Sequence, residues 1–312
     1  MATVTSTELT STILTTLDSE GIVMLPRLIS DQQLRDMRAA FEARLQNLRW
    51  SDVDGYERTE LYRHMVQDVL TLDQGFLDIA LYPLVKEVLN EYLGTHYELC
   101  EAKGWKSLPT MRDFHGWHGD AWYDQTRIHD YIPREVKLAF YLTDVKSGFF
   151  QYVKGSHRRQ APRGVRHQEL TAVPQSQIFE ARASAGSAFL FDTSGIHRQS
   201  APILEPRLAC FYNYHDPDVP LQKEDVDYYR YHPLLLNAAY LGGLTKEDER
   251  ILGFGNKTNY IPNFRRQQRH PGFQRACEFA FDARLRYLDF SGRVSGKLKK
   301  IFSGSSDSKP RM

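Results

Sequence analysis

The chain has 312 residues, 41% hydrophobic and 25% charged, a composition typical of a soluble globular protein long enough to bury a sizeable core. Forty Lys and Arg stand against 39 Asp and Glu, for a formal net charge of +1, so no charge imbalance argues for nucleic acid or for an acidic partner. Cys100, Cys210 and Cys277 are far apart and form no CxxC pair, which speaks against a zinc knuckle or a disulfide framework and fits a cytoplasmic setting.

Residues 1–21 lack the basic start and apolar centre of a targeting signal, and no stretch approaches the roughly 18 apolar residues of a membrane span. Residues 6–19 read as an amphipathic helix stopped by Gly21, and GIVMLP at 21–26 reads as a short strand ended by Pro26. Ser30 and Gln33 have the spacing of a capping box, and Leu34, Met37, Phe41, Leu45 and Leu48 follow on one helical face. Residues 51–75 are polar and irregular and read as a loop with at most one short helix. Pro83 suits a first helical turn, and the helix it opens runs to Gly94.

After Gly94 the pattern changes to HYELCEAKGW, TMRDFHGWHGDAWY, VKLAFYLTDV, FFQYVKGS, QIFEARAS, SAFLFDTSG and LACFYNYH. These short alternating runs between turn residues have the rhythm of an antiparallel sandwich. Helices, then strands, then helices again predict an α+β fold built on a double-stranded β-helix, or jelly roll. One domain is expected over residues 1–302, with a helical part at 1–94, a β core at 95–215 and a helical cover at 216–302. Within the cover, 223–264 is expected to close the mouth of the site and 272–290 to form a last helix. Residues 303–312 read as a disordered tail, and the basic cluster Arg293, Lys297, Lys299 and Lys300 as solvated.

The chemistry concentrates in TMRDFHGWHGDAWY. His118 and Asp120 are two apart, and on a strand residues i and i+2 leave the same face. They can hold two corners of a metal ion, and His197, in AGSAFLFDTSGIHRQSAP, is the candidate for the third. Two histidines and one carboxylate with the remaining positions open is the donor set of non-heme Fe(II) oxygenases. Arg207, ten residues on, can grip a carboxylate through two parallel hydrogen bonds. His115 reads as structural or as a support behind the ligands, and His157 as a hydrogen-bonding residue of the KGSH turn.

These residues resemble the phytanoyl-CoA dioxygenase-like family of Fe(II)- and 2-oxoglutarate-dependent oxygenases. The resemblance rests on WHGD at 117–120, on the run from VKLAFYLTDV to FFQYVKGSH at 136–157, on AGSAFLFDTSGIHRQSAP with Arg207, and on EGIVMLPRLISDQQLRDMRAAFE near the start. It spans roughly residues 17–215. It implies that His118, Asp120 and His197 bind Fe(II) and that Arg207 binds the far carboxylate of 2-oxoglutarate, with O2 as oxidant. Halogenating relatives replace the carboxylate ligand with a small residue, so Asp120 implies oxygen transfer. The family places a small residue and a hydroxyl after the distal histidine, where this chain has Arg198 and Gln199 before Ser200. Gln199 and Ser200 therefore both stand as partners of Arg207, and Lys103 or Lys106 as the basic residue upstream of the HxD pair.

Trp117, Trp122, Arg127, His129 and Arg198 are the expected substrate contacts, with Phe114, Tyr123, Phe189 and Phe191 as further walls. They suit a small polar metabolite handled by a monomer or homodimer, with no nucleic acid and no membrane span involved. A zinc hydrolase could use the same three ligands but would leave Arg207 without a purpose. A non-catalytic jelly-roll binding protein would not need the intact triad.

Overall fold

The computed structural model describes residues 6–46, 62–113, 116–120, 135–158, 174–216 and 234–254, with scattered positions between 276 and 294. Helix α1 (Ser6–Glu20) is rich in threonine, and Thr12, Thr15 and Thr16 turn their hydroxyls back onto the carbonyls four residues earlier. Ile13 and Leu17 face the core. The Gly21 amide closes the helix on the Leu17 carbonyl at 2.8 Å, and strand β1 (Ile22–Met24) follows. Helix α2 (Asp31–Gln46) opens on the expected capping box, since the Ser30 hydroxyl accepts from the Gln33 amide and the Gln33 side chain accepts from the Ser30 amide. Met37 and Phe41 are its buried stripe.

The stretch read as a loop with at most one short helix contains a strand and a short 3-10 turn (Val69–Thr71), and a longer helix begins at its end. Strand β2 (Arg63–Val66) pairs antiparallel with β3 (Glu98–Ser107), and helix α3 (Gln74–Ala80) begins where the Asp73 carboxylate caps the Gly75 amide at 2.8 Å. Strand β2 escaped the hydrophobic pattern because its first residues are Arg63 and His64. Arg63 lies over the Trp105 ring at 3.8 Å, so stacking takes the place of apolar burial. Helix α4 (Pro83–Leu93) starts at its proline as expected.

The strands form two antiparallel sheets. With β3 (Glu98–Ser107), β4 (Glu135–Tyr141), β5 (Phe150–Val153), β6 (Ile178–Glu180), β7 (Ala188–Asp192), β8 (His197–Gln199) and β9 (Arg207–His215), the larger runs β1-β7-β4-β9-β3-β2 and the smaller β6-β5-β8. This is the expected α+β jelly roll, its sheets facing each other without closing into a barrel. Strand parity gives the large sheet two different faces. Val136, Leu138, Phe140, Leu190, Leu208, Cys210, Tyr212 and Tyr214 point to the helices and make the main core with α1 to α4. The Tyr212 and Tyr214 hydroxyls donate to the carbonyls of Phe76 and Ala80 at 3.0 and 2.7 Å, tying β9 to α3. The opposite face looks toward the small sheet.

Residues 234–254 do not cover that inner face. Leu234, Leu236, Tyr240 and Leu244 pack on the helical core, and helix α5 (Lys246–Ile251) is held to α4 by Lys86–Asp248 at 2.7 Å and Asn90–Glu247 at 3.0 Å. Their leucines and tyrosines complete an apolar layer that α4 leaves open. The rest of the expected cover, and the tail, lie outside the described residues, apart from positions between 276 and 294, which are helical. Among the described residues no helix is long and apolar enough to cross a membrane.

Gly104 of β3 faces the helices, where a Cβ would stand 2.2 Å from the Phe41 ring. A rigid aromatic ring at that distance has to shift, and overpacking a filled core costs about 1–3 kcal/mol. Gly104→Ala is therefore expected to lower the unfolding free energy by that margin, read as a lower denaturant midpoint at an unchanged slope. An unchanged midpoint would mean that α2 moves freely over the sheet.

Candidate active site

Backbone pairing builds the site. The His118 amide donates to the His197 carbonyl at 3.0 Å, the His197 amide returns to the His118 carbonyl at 2.8 Å, and the Asp120 amide donates to the Thr193 carbonyl at 2.9 Å. Residues 116–120 do not form the expected strand, only this single bridge beside β8. Two glycines, Gly116 and Gly119, flank His118 and weaken extended pairing. The bridge still brings the side chains together. One ligand atom from each of His118, Asp120 and His197 lies within 4.8 Å of the others. The imidazole rings stand 4.5 Å apart between centroids, and their Nε2 atoms are 3.5 and 3.6 Å from the two Asp120 oxygens.

Both imidazoles are oriented in the same way. His118 Nδ1 lies 3.0 Å from the Gly116 carbonyl and His197 Nδ1 lies 2.8 Å from the Gly195 carbonyl. With the Nδ1 proton donated to main chain, each Nε2 keeps a lone pair aimed at Asp120, the tautomer a metal requires. The turn that delivers His197 is held by Asp192, whose carboxylate accepts from the Ser194 amide at 2.9 Å and from the Tyr92 hydroxyl at 3.0 Å. Sequence reasoning missed Asp192, although Asp-Thr-Ser-Gly after a buried strand is an Asx-turn signal. Glycine is required at 195, since a Cβ there would lie 1.8 Å from the Tyr152 hydroxyl.

Aromatic rings enclose His197. Phe191 meets it edge-on at 5.1 Å, Phe150 stacks at 5.5 Å and Tyr152 at 6.4 Å. Phe189 lies behind Phe150 at 5.2 Å. Phe189 and Phe191 were expected walls. Phe150 and Tyr152 were missed, though alternation along FFQY puts them on the face that Gln151 avoids.

Charge accumulates on the inner face of the large sheet beside Asp120. Lys137, Asn213 and Glu101 stand opposite one another across β4, β9 and β3, with Glu135 opposite His215 in the next row. All five are buried. Lys137 donates to Asp120 Oδ2, Asn213 donates to Glu135 at 2.8 Å, and Lys103 bonds Glu101 at 2.5 Å. Burial works to raise the Asp120 carboxyl, but the Lys137 ammonium overcomes it and holds the group well below the usual carboxylate range. Burial, helped by the facing His197, lowers His118 to about 4. Burial raises Glu135 to about 8 against the pull of Lys137.

Arg207 opens β9 at the far end of the same face, six residues and roughly 20 Å along the strand from Asn213. It is 4% exposed, and one of its terminal nitrogens donates to the Gly148 carbonyl. Among the described residues, Arg207 Nε and Gln199 Nε2 are buried donors without a hydrogen-bond partner. Gln199 shares the face of His197 by parity. Ser200 donates its amide to the Phe149 carbonyl at 2.8 Å, and Lys103 occupies a row between those of Arg207 and Lys137.

Two expected substrate contacts point elsewhere. Trp117 and Arg198 each neighbour a candidate ligand by one residue and therefore face outward. Arg198 lies 4.4 Å over the Trp117 ring and donates to Gln151 at 2.8 Å on the outer face of the small sheet. His157 bonds the Asp18 carbonyl at 3.0 Å, a structural tie to α1. Phe114, His115, Trp122, Tyr123, Arg127 and His129 lie outside the described residues.

A family model described as phytanoyl-CoA dioxygenase matches residues 17–202. The chain belongs to the phytanoyl-CoA dioxygenase family. Its cofactor and co-substrate are therefore Fe(II) and 2-oxoglutarate, and its function is of the Fe(II)/2-oxoglutarate-dependent oxygenase type. No curated protein matches by sequence. Solved structures share the fold. HygX from Streptomyces hygroscopicus, crystallised with nickel and 2-oxoglutarate, is 18% identical over 66% of this chain and 87% of its own, with a TM-score of 0.52. SnoK, a non-heme alpha ketoglutarate dependent carbocyclase from nogalamycin biosynthesis, is 18% identical over 71% of this chain and 90% of its own, at 0.54. SnoN, an epimerase from the same biosynthesis, is 15% identical over 72% and 87%, at 0.52. The residues of this phytanoyl-CoA dioxygenase family member fit the cofactors: three donor atoms lie within 4.8 Å of one another, and Arg207 Nε and Gln199 Nε2 are buried donors without partners that a dicarboxylate could satisfy.

Glu135 yields a pH test. An unfolded glutamate ionises near 4.5 and the buried one near 8, so between those values the unfolded chain releases a proton that the folded chain keeps. Its contribution to stability is complete below pH 4.5, falls as pH rises through the window, and is lost above pH 8. Glu135→Gln keeps an acceptor for Asn213 but has no proton to release. The stability of metal-free wild type minus that of Glu135→Gln is expected to fall by at most about 1.4 kcal/mol per pH unit across the window, as read by denaturant unfolding. A flat difference would show that Glu135 ionises at an ordinary pH.

Proposed function

We propose that the protein uses Fe(II), 2-oxoglutarate and O2 to oxidise an unactivated C–H carbon of a small polar molecule, with hydroxylation as the outcome. The observation that carries this reading is the convergence of His118, Asp120 and His197 beside the inner face of the large sheet, which also bears Arg207 with a buried, unpartnered Nε. The two imidazoles and Asp120 would hold the metal. Bound Fe(II) with 2-oxoglutarate and O2 supplies the oxidising power that these side chains lack.

The remaining roles belong to the chain. Arg207 pairs with the far carboxylate of 2-oxoglutarate, and Gln199 donates to the same molecule, which satisfies two donors that would otherwise cost about 1–3 kcal/mol each. Phe150, Phe189 and Phe191 keep water from the metal's protein side. Glu101, Asn213, Glu135 and His215 give the substrate a polar wall, and this favours a hydrogen-bonding metabolite over a hydrocarbon. Asp120 keeps a carboxylate in the ligand set, which supports oxygen transfer over halogen transfer. The carbocyclase and the epimerase share the fold, so the fold itself does not choose the product.

Succinate release from 2-oxoglutarate by Fe(II)-loaded protein tests the reading. His118→Ala and Asp120→Ala are expected to lose Fe(II) binding and succinate production while keeping their unfolding transition. Arg207→Ala is expected to raise the 2-oxoglutarate requirement more than tenfold, given about 2–5 kcal/mol for a buried charged contact. Wild-type succinate production from Asp120→Ala would overturn the assignment of the site. Metal-dependent hydrolysis that ignores 2-oxoglutarate would identify a zinc hydrolase instead.

A further inference from the structure

We propose that Lys137 is a positioning residue that holds the Asp120 carboxylate in its metal-binding orientation, in the role that the Gly116 and Gly195 carbonyls play for the two histidines. The inference rests on the assignment of His118, Asp120 and His197 as metal ligands. Each imidazole is fixed by one hydrogen bond from Nδ1 to a main-chain carbonyl two residues earlier. Asp120 has no such arrangement, because its side chain carries only acceptors. Its backbone is pinned to the Thr193 carbonyl, but the last torsion of an aspartate is broad and roughly two-fold, so the carboxylate needs a donor from elsewhere.

Lys137 supplies it. It lies in the middle of β4, a strand paired on both sides, and its Cα partners are Phe191 and Asn213. An ammonium buried at such a position is costly unless it is paired. Its ion pair is with Asp120 Oδ2, while Glu101 occupies the same row on β3 and Glu135 the row beside it on β4 itself. With Oδ2 engaged by Lys137, that oxygen faces His197 Nε2 at 3.6 Å and Oδ1 faces His118 Nε2 at 3.5 Å, so the contact fixes the rotation of the carboxylate with one oxygen toward each imidazole.

Partners that orient metal ligands typically change metal affinity about 10–100-fold when removed. Lys137→Met, which keeps the stem and removes the donor, is expected to weaken Co(II) binding to the full-length protein by that factor in calorimetric titration. It is also expected to alter the visible absorption of bound Co(II), which reports coordination number. Lys137→Arg, which restores a cationic donor, is expected to recover affinity to within about threefold and to return the wild-type spectrum. If Lys137→Met does not fold, Lys137→Gln, a shorter neutral donor, is measured in its place with the same expectation. Unchanged or tighter Co(II) binding in the folded variant overturns the proposal, as does weaker binding that arginine does not rescue. Asp120→Ala separates the two levels: if it binds Co(II) as wild type does, the ligand assignment fails. If it loses the metal while Lys137→Met keeps it, only the role of Lys137 fails.

Discussion

The reciprocal pair of backbone hydrogen bonds between His118 and His197 is the constraint on which the rest of the site depends. It joins a short glycine-flanked segment to a strand from much later in the chain, and it sets the two imidazoles side by side before any side-chain contact is considered. Parity then follows. Gln199 joins His197 on the inner face, while Trp117 and Arg198 are sent outward, where they stack on each other. The turn that Asp192 ties together fixes the approach to His197, and Tyr152, whose hydroxyl donates to the Asp192 carbonyl at 2.9 Å, leaves room only for glycine at 195.

The large sheet serves two purposes with two faces. Its helical face is an ordinary core, in which even the Tyr212 and Tyr214 hydroxyls are used to attach α3. Its inner face changes along β9 from Arg207 through Ala209 and Phe211 to Asn213 and His215, so that a cationic end, an aromatic middle and a polar end succeed one another. Buried ionisable groups of this density are expensive in a protein interior. The Lys137–Asp120, Lys103–Glu101 and Asn213–Glu135 contacts keep that expense down, and Glu135 lowers it further by holding its proton.

Much of this was legible in the sequence, and the exceptions have physical causes. The capping box at Ser30, the proline at the start of α4 and the alternating strands of the core are local signals, and they appear where expected. His118, Asp120 and His197 could be brought together by same-face spacing and donor chemistry. The same rule applied one residue away would have turned Trp117 and Arg198 outward, but side-chain chemistry drew them into the expected site. Strand β2 was hidden because stacking on Trp105 replaces apolar alternation. Lys137 and Glu135 were hard to single out because EVKLAFY reads as a plain buried strand, and only its pairing with β9 and the nearness of Asp120 show what its charged positions face. The leucine- and tyrosine-rich stretch at 234–254 promised a cover, yet apolar content alone does not tell which layer of a fold a segment completes.

The two histidine orientations have a consequence for how such a site can change over time. Carbonyls of the main chain hold both rings, and no substitution at positions 116 or 195 can delete a carbonyl. The imidazole tautomers are thus insulated from mutational drift so long as the local turns persist. Asp120 is held by a side chain, and that contact can be altered by a single base change. A lineage built on this scaffold can retune its metal centre at the carboxylate while its histidines stay as they are.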